Sequence, residues 1–121
     1  MDQTKYFAFY GSLRRGMPLY EQYQSHLVYQ FSAWLKSFAL YSLGPYPYAI
    51  RSTEPSSKIL VEVFHIESEH IRQEIETIEL KAGYVFEDID IRGIKSRIFL
   101  FTKNGNDPKV ISGDWVDFFG R

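Results

Sequence analysis

With 121 residues and a net charge of −1, the chain can bury the core of one domain, and it has no charge excess that would draw it to nucleic acid or a membrane surface. It contains no cysteine, which excludes disulfides, thiol nucleophiles and thiolate metal sites. Hydrophobic residues at 45% and charged residues at 24% fit a soluble globular protein, and aromatics at 17% favour β-structure and pocket walls.

No apolar run is long enough to span a bilayer, and Met1 to Lys5 lack a secretory signal. A single cytoplasmic domain over residues 1–121 is therefore expected. Tyr6 to Tyr10 reads as a buried strand that Gly11 stops. A glycine there permits a tight turn and lets a ligand approach main-chain N–H groups, the geometry that binds carboxylates and phosphates. Pro18 to His26 reads as a short helical turn. Phe31 to Leu43 alternates and is rich in aromatics, with Ser32 and Ser37 interrupting it, so one bent strand or two short ones are expected. Gly44-Pro45-Tyr46-Pro47 ends that segment, because proline cannot donate to a sheet ladder.

Residues 52–57 form a polar surface loop, and Ile59 to Ile66 is a β-branched strand. Ser68 is placed to cap a helix with Glu69 in its first turn, running to about Leu80 with Ile71, Ile75 and Ile78 as its apolar stripe. Lys81-Ala82-Gly83 supplies the stop. Tyr84 to Ile91 alternates, with Val85, Ile89 and Ile91 on one face and Asp88 and Asp90 on the other. Gly93 marks a turn, Ile98 to Thr102 a strand, and residues 104–108 a further turn. About six strands and one good helix with short connections make an α+β protein, a mixed sheet curled into a barrel.

Candidate chemistry is sparse. His26, His65 and His70 share no ligand spacing, and each reads as structural or solvated. There is no His-x-x-x-His pair and no Asp-rich loop, so no metal site is expected. Ser12 would need a histidine base that nothing nominates. Glu79 falls roughly 70° from the centre of the isoleucine stripe, where partial desolvation would raise its pKa and make it a better base. Glu74 falls about as far on the opposite edge, so periodicity leaves the two open.

Several separated segments resemble one family. Tyr10-Gly11-Ser12-Leu13-Arg14-Arg15-Gly16 resembles the Tyr-Gly-(Ser/Thr)-Leu-x-x-Gly loop of the γ-glutamylcyclotransferase-like proteins, which include γ-glutamylcyclotransferases and γ-glutamylamine cyclotransferases. Gly44-Pro45-Tyr46-Pro47-Tyr48-Ala49-Ile50 is similar to the family's Gly-x-Tyr-Pro-Ala segment, with Tyr48 inserted or shifted. Val61-Glu62-Val63-Phe64-His65-Ile66 resembles its Gly-Glu strand. Ile78-Glu79, followed by Gly83-Tyr84, resembles the helix end bearing the catalytic Glu and the strand that follows. Ser112-Gly113-Asp114-Trp115 resembles its closing Ser-Gly-Asp-Trp.

The resemblance implies a small, largely antiparallel barrel with one main helix. It also implies conversion of a γ-glutamyl amine or γ-glutamyl amino acid to 5-oxoproline without cofactor or metal. It assigns Glu79 as general base, and Tyr10, Gly11, Ser12, Leu13 and Tyr84 to substrate binding. Val61 and Phe86 depart from the pattern, the first implying a more crowded pocket wall and the second a charge lost near the mouth. Pro18 to Tyr29 and Thr53 to Lys58 are expected to shape the leaving-group side. Two rivals are a non-catalytic binder of a carboxylate-bearing metabolite in the same cavity, and a phosphate binder using Arg14 and Arg15.

Overall fold

A computed structural model describes residues 4–102 and 106–120. Strands β1 (Tyr6–Phe9), β2 (Val28–Lys36), β5 (Lys58–His65), β6 (Val85–Ile91) and β7 (Ile94–Leu100) form one sheet in the order β2-β5-β1-β7-β6. Its pairings are antiparallel except for β1 against β7. A second, two-stranded sheet pairs β3 (Phe38–Ser42) with β4 (Pro47–Arg51). The α+β class and the mostly antiparallel pairing are as the sequence led us to expect. The barrel is not completed, because β2 and β6 stay unpaired with each other and the ribbon forms a separate sheet.

Alternation along β1 decides the layering, since successive side chains point to opposite faces. Phe7 and Phe9 enter one apolar cluster with Leu13, Tyr23 and Phe64, together with Ile71 and Ile75 of helix α2 (Glu69–Lys81). Ala8 and Tyr10 enter the other, with Phe38, Leu40 and Ala49 of the ribbon, and Val61, Val63 and Trp115. The first cluster therefore docks the main helix, and the second docks the ribbon.

Ser37 is where the long aromatic segment breaks into two strands. It sits at φ 72, a left-handed backbone that no strand continues through, and its carbonyl accepts from Ser52 N–H at 2.9 Å. Helix α2 begins as its cap predicts, with the Ser68 hydroxyl accepting from Ile71 N–H at 3.2 Å. Helix α1 (Pro18–Tyr23) and the 3-10 turn Gln24–His26 occupy the expected helical stretch.

Three features differ from the sequence reading. Tyr48-Ala49-Ile50, to which the sequence assigned no element, is the core of β4. Pro47 tolerates its place there because it opens the strand. Ile78, assigned to the buried stripe, is 37% exposed, because the last turn of α2 overhangs a cavity rather than the core. The tail forms helix α3 (Trp115–Phe119), capped by the Asp114 carboxylate, which accepts from Asp117 N–H at 3.2 Å. Trp115 is fully buried, its ring 5.5 Å from Phe118 and 5.3 Å from Phe119, so it anchors this helix to the core. Of the turn expected at 104–108, Asn104 and Gly105 lie outside the described residues, while Pro108 O accepts from Ser42 N–H at 2.8 Å.

Gly113 sets up that tail. It adopts φ +74, and a Cβ there would lie 2.0 Å from the Lys58 carbonyl oxygen. The close approach lets Gly113 O accept from Leu60 N–H at 2.8 Å on β5. Gly113→Ala should therefore destabilise the protein by about 3 kcal/mol or more, measured by urea unfolding, since strain and a backbone collision coincide.

Candidate functional site

The tight turn after β1 is held from behind by charge. Arg14, considered from the sequence as a phosphate ligand, is buried. Its Nε donates to Glu62 Oε2 at 3.1 Å and its Nη1 to Asp114 Oδ1 at 2.8 Å. Glu62, itself 5% exposed at its side chain, also accepts from Arg15 N–H at 2.9 Å and Arg15 Nε at 3.2 Å. Arg15 then lies over the Tyr29 ring at 3.7 Å. Both guanidiniums are thus spent on protein groups, and neither lines the cavity in front of the turn. This removes the arginine-based phosphate site considered from the sequence.

In front of the turn is a cavity of about 610 Å³. Its walls include Tyr10, Gly11, Ser12 and Leu13 from the turn, Pro18, Leu19 and Gln22 from α1, and Ile78, Glu79 and Ala82 from the end of α2. Pro45, Tyr46 and Pro47 of the ribbon, Tyr84 just before β6, Phe99 of β7 and Phe119 of α3 add to it. The turn's own carbonyls are used: Gly11 O accepts from Arg14 N–H at 2.9 Å, and Ser12 O from Tyr20 N–H at 3.0 Å. Among the described residues no acceptor takes up the N–H groups of Gly11, Ser12 and Leu13. They form a set of free donors at the cavity wall, suited to a carboxylate or an oxyanion.

Gly11 is required here by proximity. A Cβ at this position would lie 2.8 Å from Pro47 Cγ, so any larger residue would push the ribbon off the turn. The ribbon is further fastened by two tyrosines. Tyr10 Oη donates to Phe99 O at 2.5 Å and accepts from Ala49 N–H at 3.2 Å, while Tyr84 Oη donates to Pro47 O at 2.5 Å. Burial is the main reason both phenols are held well above their ordinary pKa, with the neighbouring Glu79 charge adding to the effect. Their hydroxyl protons are committed, so the two rings serve the cavity as walls rather than as donors.

Glu79 is the one acidic side chain lining the cavity among the described residues, and no lysine, arginine or histidine lines it. Burial raises its pKa to about 7, with no ion pair to oppose the shift. Glu74, which periodicity could not separate from it, lies elsewhere: it accepts from the Tyr23 hydroxyl and sits 3.7 Å from His70 Nε2. The two carboxylates diverge because one edge of α2 stays near the surface, where Glu74 meets the Tyr23 hydroxyl, and the other turns over the cavity. His65 packs edge-on to Tyr6 at 5.1 Å and His26 is exposed. Among the described residues no cluster of three His, Cys, Asp or Glu could hold a metal ion, and no helix is long and apolar enough to cross a membrane.

The flagged departures fall outside the cavity. Val61 is buried in the cluster beneath the ribbon, and Phe86 is half-exposed with Arg97 4.0 Å over its ring. Residues 53–58 are also absent from the lining, where the turn around Tyr46 and Phe119 of α3 stand instead. Phe119 was missed because its approach depends on the Trp115 anchor and the Gly113 contact, which no local pattern encodes. The proline-bracketed Tyr46 was the available sign of a presented aromatic.

The α+β frame thus brings unoccupied main-chain donors and one desolvated carboxyl to a single open-mouthed cavity. The chain belongs to the gamma-glutamyl cyclotransferase, AIG2-like family, whose model matches residues 7–117, and so is of cyclotransferase type. Among curated proteins no sequence match is found. An uncharacterized protein from Pyrococcus horikoshii is similar in structure, with a TM-score of 0.81 at 24% identity over 96% of this chain and 93% of that one. A uropathogenic E. coli-specific protein gives a TM-score of 0.76 at 19% identity over 99% and 98%. An AIG2-like protein from Mus musculus gives 0.62 at 17% identity over 84% and 78%. At these identities the likeness is one of fold.

The desolvation of Glu79 has a thermodynamic signature. Folded, the carboxyl keeps its proton up to about pH 7; in the unfolded chain it loses it near the ordinary 4.5. The folded state binds more protons between these values, so this group's contribution turns against folding as pH rises through that window. Glu79→Gln should therefore stabilise the protein at pH 8 by about 1–3 kcal/mol, and by much less at pH 4, in paired urea titrations.

Proposed function

We propose that this protein converts a γ-glutamyl amine or γ-glutamyl amino acid to 5-oxoproline and the free amine, with Glu79 as general base. The observation that carries this reading is the pairing, in one cavity, of a lone desolvated carboxyl and a row of unoccupied main-chain donors.

In such a substrate the α-amine can reach its own γ-carbonyl, so the enzyme's main task is to hold the folded-back conformer. The ionised Glu79 takes a proton from the α-amine, whose nitrogen lone pair attacks the γ-carbonyl carbon. The new C–N bond closes a five-membered ring, and the carbonyl oxygen becomes an oxyanion. The N–H groups of Gly11, Ser12 and Leu13 hold the substrate carboxylate or this oxyanion. Collapse breaks the original C–N bond, and the Glu79 carboxylic acid returns its proton to the departing amine. A pKa of about 7 suits a group that must accept and then donate near neutrality. The substrate is a small metabolite, and no cofactor enters the scheme.

Release of 5-oxoproline from a panel of γ-glutamyl amino acids and amines tests the proposal. Glu79→Gln should lower kcat by about 10²–10⁴-fold, while Glu74→Gln should stay near wild type. Wild-type kcat should fall as pH drops below about 7, where Glu79 takes up its proton. Tight binding of substrate-like carboxylates without turnover, in folded protein, would assign the cavity to a binding role instead.

A further inference from the structure

We infer that the leaving group is an apolar amine without a charge of its own, seated on a rim formed by Leu43, Tyr46, Ile78 and Phe119. The inference rests on the cyclotransferase reading above and deepens it by naming the substrate class.

The cavity is larger than a γ-glutamyl group alone requires, since volumes of ~300–1,000 Å³ accept drug-sized ligands. The polar side chains of the lining are Glu79, Ser12, Gln22 and three tyrosines, none of them cationic. The walls also include Met17, Leu19 and the four rim residues. The rim residues come from three separate parts of the chain, the ribbon turn, α2 and α3. They leave large apolar side chains half in water: Leu43 at 44%, Tyr46 at 55% and Phe119 at 45%. An apolar patch of this kind, continuous with a cavity, marks a surface that is covered when a ligand binds.

Charge excludes the alternatives. An amino acid leaving group carries a carboxylate, and no lysine, arginine or histidine among the described residues lines the cavity to receive it. That carboxylate would find no counter-charge on an apolar rim and would share the cavity with the ionised Glu79, whose charge repels it. A leaving group with a second ammonium would pair with Glu79, hold it ionised and weaken it as a base. An alkyl or aryl amine meets neither difficulty and covers the rim.

Matched pairs of substrates isolate the effect. γ-Glutamyl-isoamylamide and γ-glutamyl-leucine differ by one carboxylate, as do γ-glutamyl-phenethylamide and γ-glutamyl-phenylalanine. The amide of each pair should show a kcat/KM at least tenfold higher, and γ-glutamyl-pentylamide should exceed its ω-amino counterpart similarly. Phe119→Ala should lower kcat/KM for the phenethylamide more than for γ-glutamyl-methylamide. Leu43→Arg, at an exposed site, should shift preference toward γ-glutamyl-leucine by supplying a counter-charge. Equal or better turnover of the amino acid substrates overturns the inference.

Calorimetry with the same pairs reads the rim apart from the chemistry. Tighter binding of the amides without 5-oxoproline release would sink the reaction and sustain the rim. Tighter binding of the amino acid derivatives, or no binding of either, would sink the rim.

Discussion

The buried carboxylate of Glu62 is the constraint on which the site depends. Three donors from the turn after β1 converge on it, and Arg14 carries the connection on to Asp114 at the start of α3. A buried ion pair of this kind adds little net stability, because desolvation offsets most of the attraction, but losing one partner leaves the other charge stranded. Its effect here is positional. With the arginines drawn to the back of the turn, residues 11–13 line the cavity with main-chain N–H groups that no acceptor takes up among the described residues, and no cation lines it. One interaction thus sets both the donors and the electrostatics of the site.

That arrangement explains why Glu79 is left unpaired. A carboxyl near two guanidiniums would hold its pKa low and be a poor base at neutral pH. Committing Arg14 and Arg15 to Glu62 and Asp114 keeps positive charge away from the cavity, so burial acts on Glu79 unopposed. The Tyr10 and Tyr84 hydroxyls at the cavity wall are likewise committed to carbonyls of β7 and the ribbon. Rigidity and reactivity are assigned to different groups.

The sequence carried the parts of this that depend on local rules. Alternation in β5, the Ser68 cap and the stop after Lys81 place strand and helix correctly, because each is decided by neighbours a few residues apart. The burial of Arg14 was not legible, since its partners are 48 and 100 residues distant. The strand through Tyr48 was hidden by the prolines that precede it, and Ile78 by a periodicity that cannot tell a cavity from a core. The choice between Glu74 and Glu79 was undecided for the same reason: the helix offers two equivalent edges, and only the packing of Tyr23 and the ribbon makes them different. The family resemblance named the turn and Glu79 together, whereas the rim at Tyr46 and Phe119 emerges from tertiary packing alone.

The contact between Gly11 and Pro47 has a consequence for how the two segments tolerate change. Their separation is set by a missing methyl on one side and a ring on the other. Substitutions at these positions will therefore not act independently: a side chain at 11 collides only while a proline ring stands at 47. Their effects on stability should combine non-additively, with a smaller residue at 47 lessening the harm of a larger one at 11.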